Sequence, residues 1–195
     1  VTGVQTCALP IWLSKYGNNN KYQLSVCVTN PFFKKEEMQA ALSNCLGEKR
    51  YTNINFLPYL KTNSEVNDFL NAVDIDLTGL SGAEGWNLPS FNASCLGKWS
   101  IVLNETSHKD WASKNNSIIV ESKGKESCYD GKFFQEGSEF NQGNIYTWDS
   151  DIVAQAMETA SQKKGQINTE GEKLKEKFSY SSSVDRLLKG IEEMR

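Results

Sequence analysis

Apolar and polar positions along this chain switch repeatedly between a period of two and a period near 3.6, the repeats of a strand and of a helix. Residues 13–21 read as the end of a helix and a turn, broken by Gly17-Asn18-Asn19-Asn20. The alternating run Y-Q-L-S-V-C-V-T predicts a strand over 22–29, closed by Asn30-Pro31. Met38, Ala41, Leu42 and Cys45 mark an amphipathic helix over 32–46, stopped by Gly47. A second strand is predicted over 52–57. Asn63 or Ser64 then caps a helix that turns Val66, Phe69, Leu70 and Val73 toward the core.

The same alternation continues to the C-terminus. Strands are predicted over 73–77, 99–104 and 117–121, and the spacing of Ser107 and Asp110 suggests a capping box for a short helix ending at Lys114. Residues 122–147 break the rhythm: glycines, the turn signal Asp130-Gly131 and the rings of Tyr129, Phe133, Phe134, Phe140 and Tyr146 predict an inserted loop. Such a loop serves as a lid or acceptor-recognition element, or it packs its rings on its own domain. Asp149 or Ser150 opens a helix with Ile152, Val153, Ala156 and Ala160 on one side. A polar helix is predicted near 169–178, and Ser181 to Ser183 cap a last helix bearing Val184, Leu187, Leu188, Ile191 and Met194. Strands alternating with helices call for an α/β fold, a parallel sheet flanked by helices with ligands beyond the carboxyl ends of the strands. That rule places the loops at 30–33, 58–61 and 104–108 on one lip.

The stretch 74–98, D-I-D-L-T-G-L-S-G-A-E-G-W-N-L-P-S-F-N-A-S-C-L-G-K, carries most of the chemistry. A loop of small residues, 78–85, follows the strand, and a helix is predicted over 89–96. Pro89 suits the first helical turn because its missing N–H has no partner there, and Gly97 suits the stop. The free amides and positive dipole end of such a helix make a site for an anion such as phosphate, with Glu84 on the same lip.

The order Ser-Gly-Ala-Glu-Gly-Trp-Asn-Leu-Pro, then Asn92, then Leu96-Gly97-Lys98, resembles the signature of retaining glycosyltransferases of GT-B architecture, the family 4-like or group 1 enzymes. The ending F-S-Y-x-x-x-V-x-R-L-L resembles that family's terminal helix. The resemblance covers about residues 22–195 and implies the C-terminal half of a GT-B fold, a Rossmann-like domain that binds a nucleotide-diphosphate sugar. It implies that Glu84 contacts hydroxyls of the transferred sugar, and that Gly82 and the backbone of Gly85, Trp86, Asn87 and Leu88 meet sugar and diphosphate. The ribose position falls on Asn92, where the family has Glu; an amide still bonds hydroxyls but without charge assistance. Asn87 stands where the family has Gly. By the same resemblance the nucleotide base lies near the loop after Leu57, where Tyr59 stacks on it or simply packs. His108 either touches acceptor or transferred sugar or is an exposed first-turn histidine.

The family works without a required metal cofactor, meeting the diphosphate with amides and an Arg and Lys pair. That pair is expected ahead of Leu13, in an N-terminal acceptor domain missing here, so the fragment is expected to be inactive alone. The acceptor, whether glycan, lipid or protein, is not specified. Two alternatives share the shape: a non-catalytic sugar- or nucleotide-binding module, and a sugar-nucleotide epimerase.

Composition narrows the picture little further. The chain has 195 residues, a formal charge of −3, one His and five Cys without paired spacing. Neither a zinc site, a disulfide framework nor a nucleic-acid partner is indicated, and a reducing cytoplasm, with the protein soluble or peripheral to a membrane, is the expectation. No apolar run reaches a transmembrane span. Residues 1–12 look like the in-frame translation of a sequencing-library adapter, so the native fold is expected to begin at Leu13.

Overall fold

The computed structural model describes residues 2–27, 34–129, 134–139 and 143–194. The expected alternation is present. Helix α1 (Thr2–Tyr16) leads to strand β1 (Leu24–Cys27), followed by α2 (Lys35–Leu46), β2 (Ile54–Leu57), α3 (Asn63–Ala72), β3 (Ile75–Gly79), α4 (Leu88–Cys95) and β4 (Trp99–Leu103). Then come α5 (His108–Trp111), β5 (Ile118–Val120), a hairpin of β6 (Gly124–Ser127) and β7 (Asn144–Thr147), and helices α6 (Ser150–Ser161), α7 (Thr169–Glu172), α8 (Leu174–Lys177) and α9 (Tyr180–Glu193).

All pairings among β1 to β5 are parallel, in two hydrogen-bonded sets, β1–β2 and β3–β4–β5. Strand β4 is covered on both faces, and Ile101, Val102 and Leu103 are completely buried, which explains three consecutive apolar residues there. The period of two divides these residues between two cores. Ile101 and Leu103 join Trp12, Leu13, Tyr16, Val153, Met157 and Ala160, so α1 and α6 cover one face. Val102 joins Trp111 and Leu174, with Phe91, Trp86 and Phe178 packed around them, so α4, α5 and α8 cover the other. The three layers are those of a Rossmann-like α/β domain. Helix α1 includes residues 2–12 of the segment set aside on sequence, and Ala8 and Trp12 lie in the larger core.

Several local expectations give way to other partners. The cap of α3 is Thr62, not Asn63 or Ser64: its hydroxyl accepts from Glu65 N while Glu65 Oε2 accepts from Thr62 N, a reciprocal capping box. Val73 is the C-cap of α3 rather than a core-facing position. Asp149 does cap α6, but Ile152 points to solvent at 43% exposure and Met157 takes the buried position. The polar helix over 169–178 is two separate turns, α7 and α8, and α9 is capped by Ser179 instead of 181–183. Helix α4 ends as expected: Gly97, φ 77°, lets Gly97 N and Lys98 N bond Ser94 O and Ala93 O, closing the helix in a Schellman turn. Asn30-Pro31, the lip loop 30–33, Asp130-Gly131, Phe133 and Phe140 lie outside the described residues.

Candidate functional site

The site forms where β3 ends and its chain must reverse into α4. Asn87 makes that joint. It is the N-cap of α4 with left-handed backbone, φ 59° and ψ 67°, a conformation that Asn tolerates better than other side chains bearing a Cβ. Its side-chain oxygen accepts from Ser90 N at 3.3 Å, and its Nδ2 donates to Thr78 O at 2.9 Å, tying the helix start to the strand end. Nδ2 also lies 3.1 Å from His108 Nε2.

His108 has no exposed surface, which corrects both expectations for it: the ring is neither solvent-facing nor open to a sugar. Its Nδ1 lies 2.9 Å from Leu103 O. A carbonyl can only accept, so Nδ1 carries the hydrogen and Nε2 accepts from Asn87. Burial holds the imidazole below its ordinary pKa, against the opposing pull of the backbone of Leu103 and of Glu105.

Two neighbours of His108 complete a clamp on the same loop. Ser107 stands at the N-cap of α5 but its side chain makes no cap bond; the hydroxyl instead donates to Glu84 O at 3.1 Å. Trp111 Nε1 donates to Trp86 O at 3.1 Å. Trp86 in turn packs edge-on against Phe91 and Phe178, with ring centres 5.4 and 5.1 Å away. Residues 84–87 are therefore held from one side by 107, 108 and 111.

Beneath the joint lies Asp76, a buried carboxylate in β3. It accepts from Thr78 N, from Thr78 Oγ1 at 2.8 Å and from Ser90 Oγ at 2.5 Å, which ties β3 to the first turn of α4. Burial pushes its pKa up, and those hydrogen bonds oppose the shift.

On the outer side, a concavity of about 430 Å³ is lined by Glu84, Trp86, Asn87, Leu88 and Pro89. Glu84 is half-buried, while Gly85 and Leu88 are exposed. The backbone amides of Gly85, Trp86, Asn87 and Leu88 donate to no protein acceptor among the described residues. Pro89 has no N–H, and Ser90 N is already capped, so this run of unpaired donors ends at Leu88. A Cβ on Gly85 would meet nothing within 4 Å and its backbone is not left-handed, so nothing in the fold demands glycine there. Gly82 differs. It is buried against the hairpin, its carbonyl accepts from Tyr146 N at 3.0 Å, and a Cβ on it would lie 1.8 Å from Tyr146 O.

The structure thus brings Glu84 to Leu88 together with His108, but leaves the other candidates apart from the concavity. Asn92 is exposed on the next turn of α4, and Tyr59, 64% exposed in the β2–α3 connection, does not line it. The insertion is anchored rather than free-standing: besides Tyr146, Trp148 Nε1 donates to Leu80 O at 2.8 Å, and both rings pack on the larger core. Sequence reasoning missed Asp76, Ser90 and Trp111. The one available signal was a carboxylate, Asp76, interrupting a predicted buried strand.

Among the described residues no group of three or more His, Cys, Asp or Glu is placed to hold a metal ion, and no helix is long and apolar enough to cross a membrane. No protein-family model matches the chain, and no curated protein matches it in sequence. Among solved structures it is similar to the C-terminal domain of a glycosyl transferase group 1 family protein, LpcC, from Francisella tularensis. The TM-score is 0.54 at 16% identity, over 89% of this chain and 77% of that one. This likeness is one of fold, and it agrees with the Rossmann-like C-terminal half of a GT-B protein.

Proposed function

We propose that this chain is the donor-binding domain of a retaining glycosyltransferase that takes a nucleotide-diphosphate sugar. The observation that carries the proposal is the row of four consecutive amides, 85–88, without protein acceptors, held from behind by Ser107, His108 and Trp111 and opening beside Glu84. Unpaired donors held in place at a helix start suit the negative charge that grows on a leaving diphosphate. In this reading Glu84 accepts from hydroxyls of the transferred sugar, Gly85 leaves room for the phosphates to approach the backbone, and Asn92 bonds the ribose. Tyr59 faces the base, and His108 acts only through Asn87. The Arg and Lys pair and the acceptor site belong to a further domain, and the reaction takes no metal cofactor.

The test is a titration of the ¹⁵N-labelled chain with uridine, guanosine, adenosine and thymidine diphosphate sugars at millimolar concentration. Shifts centred on the amides of 85–88 are expected with at least one nucleotide, and Glu84→Gln should remove the part of the response that depends on the sugar. Amides that stay fixed with every donor would sink the proposal. A second reading, a non-catalytic binding module of the same shape, is favoured by Asn92, whose neutral side chain replaces the carboxylate at the ribose position. Sugar transfer by the complete protein separates the two.

A further inference from the structure

His108 is the chain's single histidine, it is fully buried, and both of its ring nitrogens are engaged by protein atoms of other elements. Its Nε2 partner, Asn87, is the one residue of 84–88 with left-handed backbone. Resting on the donor-site reading above, we infer that His108 is a positioning residue whose neutral imidazole, through Asn87, fixes the direction of the amides of 85–88, and that a proton on Nε2 unlatches them.

Donor count sets the direction of the effect. Leu103 O can only accept, so Nδ1 keeps its hydrogen, and Asn87 Nδ2 can only donate, so Nε2 must offer its lone pair. A proton on Nε2 sets two donors 3.1 Å apart. Turning the Asn87 amide over would restore a bond to the ring, but it would aim Nδ2 at the Ser90 N–H and withdraw the bond to Thr78 O. The imidazolium is therefore incompatible with the cap that holds Asn87 at φ 59°. Titratable groups on the surrounding elements do not rescue it. Asp76 of β3 is bonded to Thr78 and Ser90, Glu105 pairs with Lys109, and Glu84, Asp110 and Cys95 make no hydrogen bond to the ring. Burial of the ring points the same way, since it disfavours the charged form.

A lone histidine makes the test direct. In the ¹⁵N-labelled chain, the ring nitrogen shifts report the tautomer at neutral pH, and an acid titration follows the ring and the amides of 85–88 together. The expected result is the Nδ1–H tautomer, a midpoint below the ordinary imidazole range, and loop amides that move with the ring. Asn87→Asp supplies a carboxylate that can accept from Nε2–H, so it should raise the midpoint by about 1–3 pH units. An Nε2–H tautomer, loop amides that stay still while the ring titrates, or protonation only on global unfolding would each overturn the inference. If Asn87→Asp does not fold, the titration of the unaltered chain decides alone. The donor-site reading is judged separately with uridine diphosphate glucose and the other donors above. Amides that follow His108 but ignore every donor keep the latch and remove the donor site.

Discussion

Gly82 and Gly85 lie three residues apart in one loop, and substituting each by Ala separates a structural glycine from a ligand-facing one. At Gly82 the added Cβ would sit 1.8 Å from Tyr146 O and 2.7 Å from Tyr146 C, both backbone atoms that no side-chain rotation can move. Reaching an ordinary 3.4 Å contact requires β7 to withdraw by about 1.6 Å. That displacement breaks Tyr146 N→Gly82 O and loosens Trp148 Nε1→Leu80 O. Two hydrogen bonds at about 1 kcal/mol each, with overpacking of about 1–3 kcal/mol, give a loss of roughly 3–5 kcal/mol. At Gly85 there is open space and no left-handed backbone, so Ala should leave stability unchanged or raise it by up to about 1 kcal/mol through the unfolded chain. Urea unfolding followed by circular dichroism measures both. With a slope of about 2 kcal/mol per molar, the Gly82→Ala midpoint should fall by about 1.5–2.5 M. The Gly85→Ala chain should unfold like the parent yet lose its response to donor sugars. Equal destabilisation by the two substitutions, or none at Gly82, would refute this reasoning.

Other expectations follow from single contacts. Asn168, buried, donates to Lys98 O and Asn116 O and accepts from Gly171 N. Asn168→Ala leaves those three groups without a partner and should cost about 3 kcal/mol, seen as a lower thermal midpoint in calorimetry. The folded state holds His108 neutral, so its stability is complete above the ordinary imidazole pKa of about 6.5. As pH falls through that value the unfolded chain takes up the proton first and stability drops, until folded His108 itself protonates. A urea midpoint that declines from pH 8 to pH 5 in the unaltered chain and less steeply in His108→Phe checks this. Asp76 has the opposite sign, because its folded pKa is raised: its ionised form costs stability, and the cost is relieved as pH falls through that pKa. Burial pushes the Cys95 thiol up to about 11, so at pH 8 iodoacetamide should modify exposed Cys27 well before Cys95, as read by peptide mass spectrometry.

What the sequence determined by itself is local or periodic. The two apolar periods predicted β1 to β5 and the helices between and after them in their observed order, though not the β6–β7 hairpin, because burial of one face imposes those periods on any chain that folds this way. The strand-loop-helix at 75–95 and the stop at Gly97 were legible for the same reason: a Schellman turn involves only residues 93–98. The tertiary structure decided everything that depends on a partner distant in sequence. The Ser107 hydroxyl had a local use in capping α5, but parallel pairing of β3 with β4 sets the two loops side by side, and Glu84 O, 23 residues away, takes it instead. His108 is buried for that reason too, with Asn87 21 residues away. Gly82 and Gly85 are alike as letters; only the docking of β7 onto the first distinguishes them. Helices α6 and α9 carry similar apolar stripes, yet α6 is covered by the sheet and α9 exposes Leu187 and Leu188 at 64% and 53%. Periodicity reveals that a helix has an apolar face, whereas what covers that face depends on where the rest of the chain is placed.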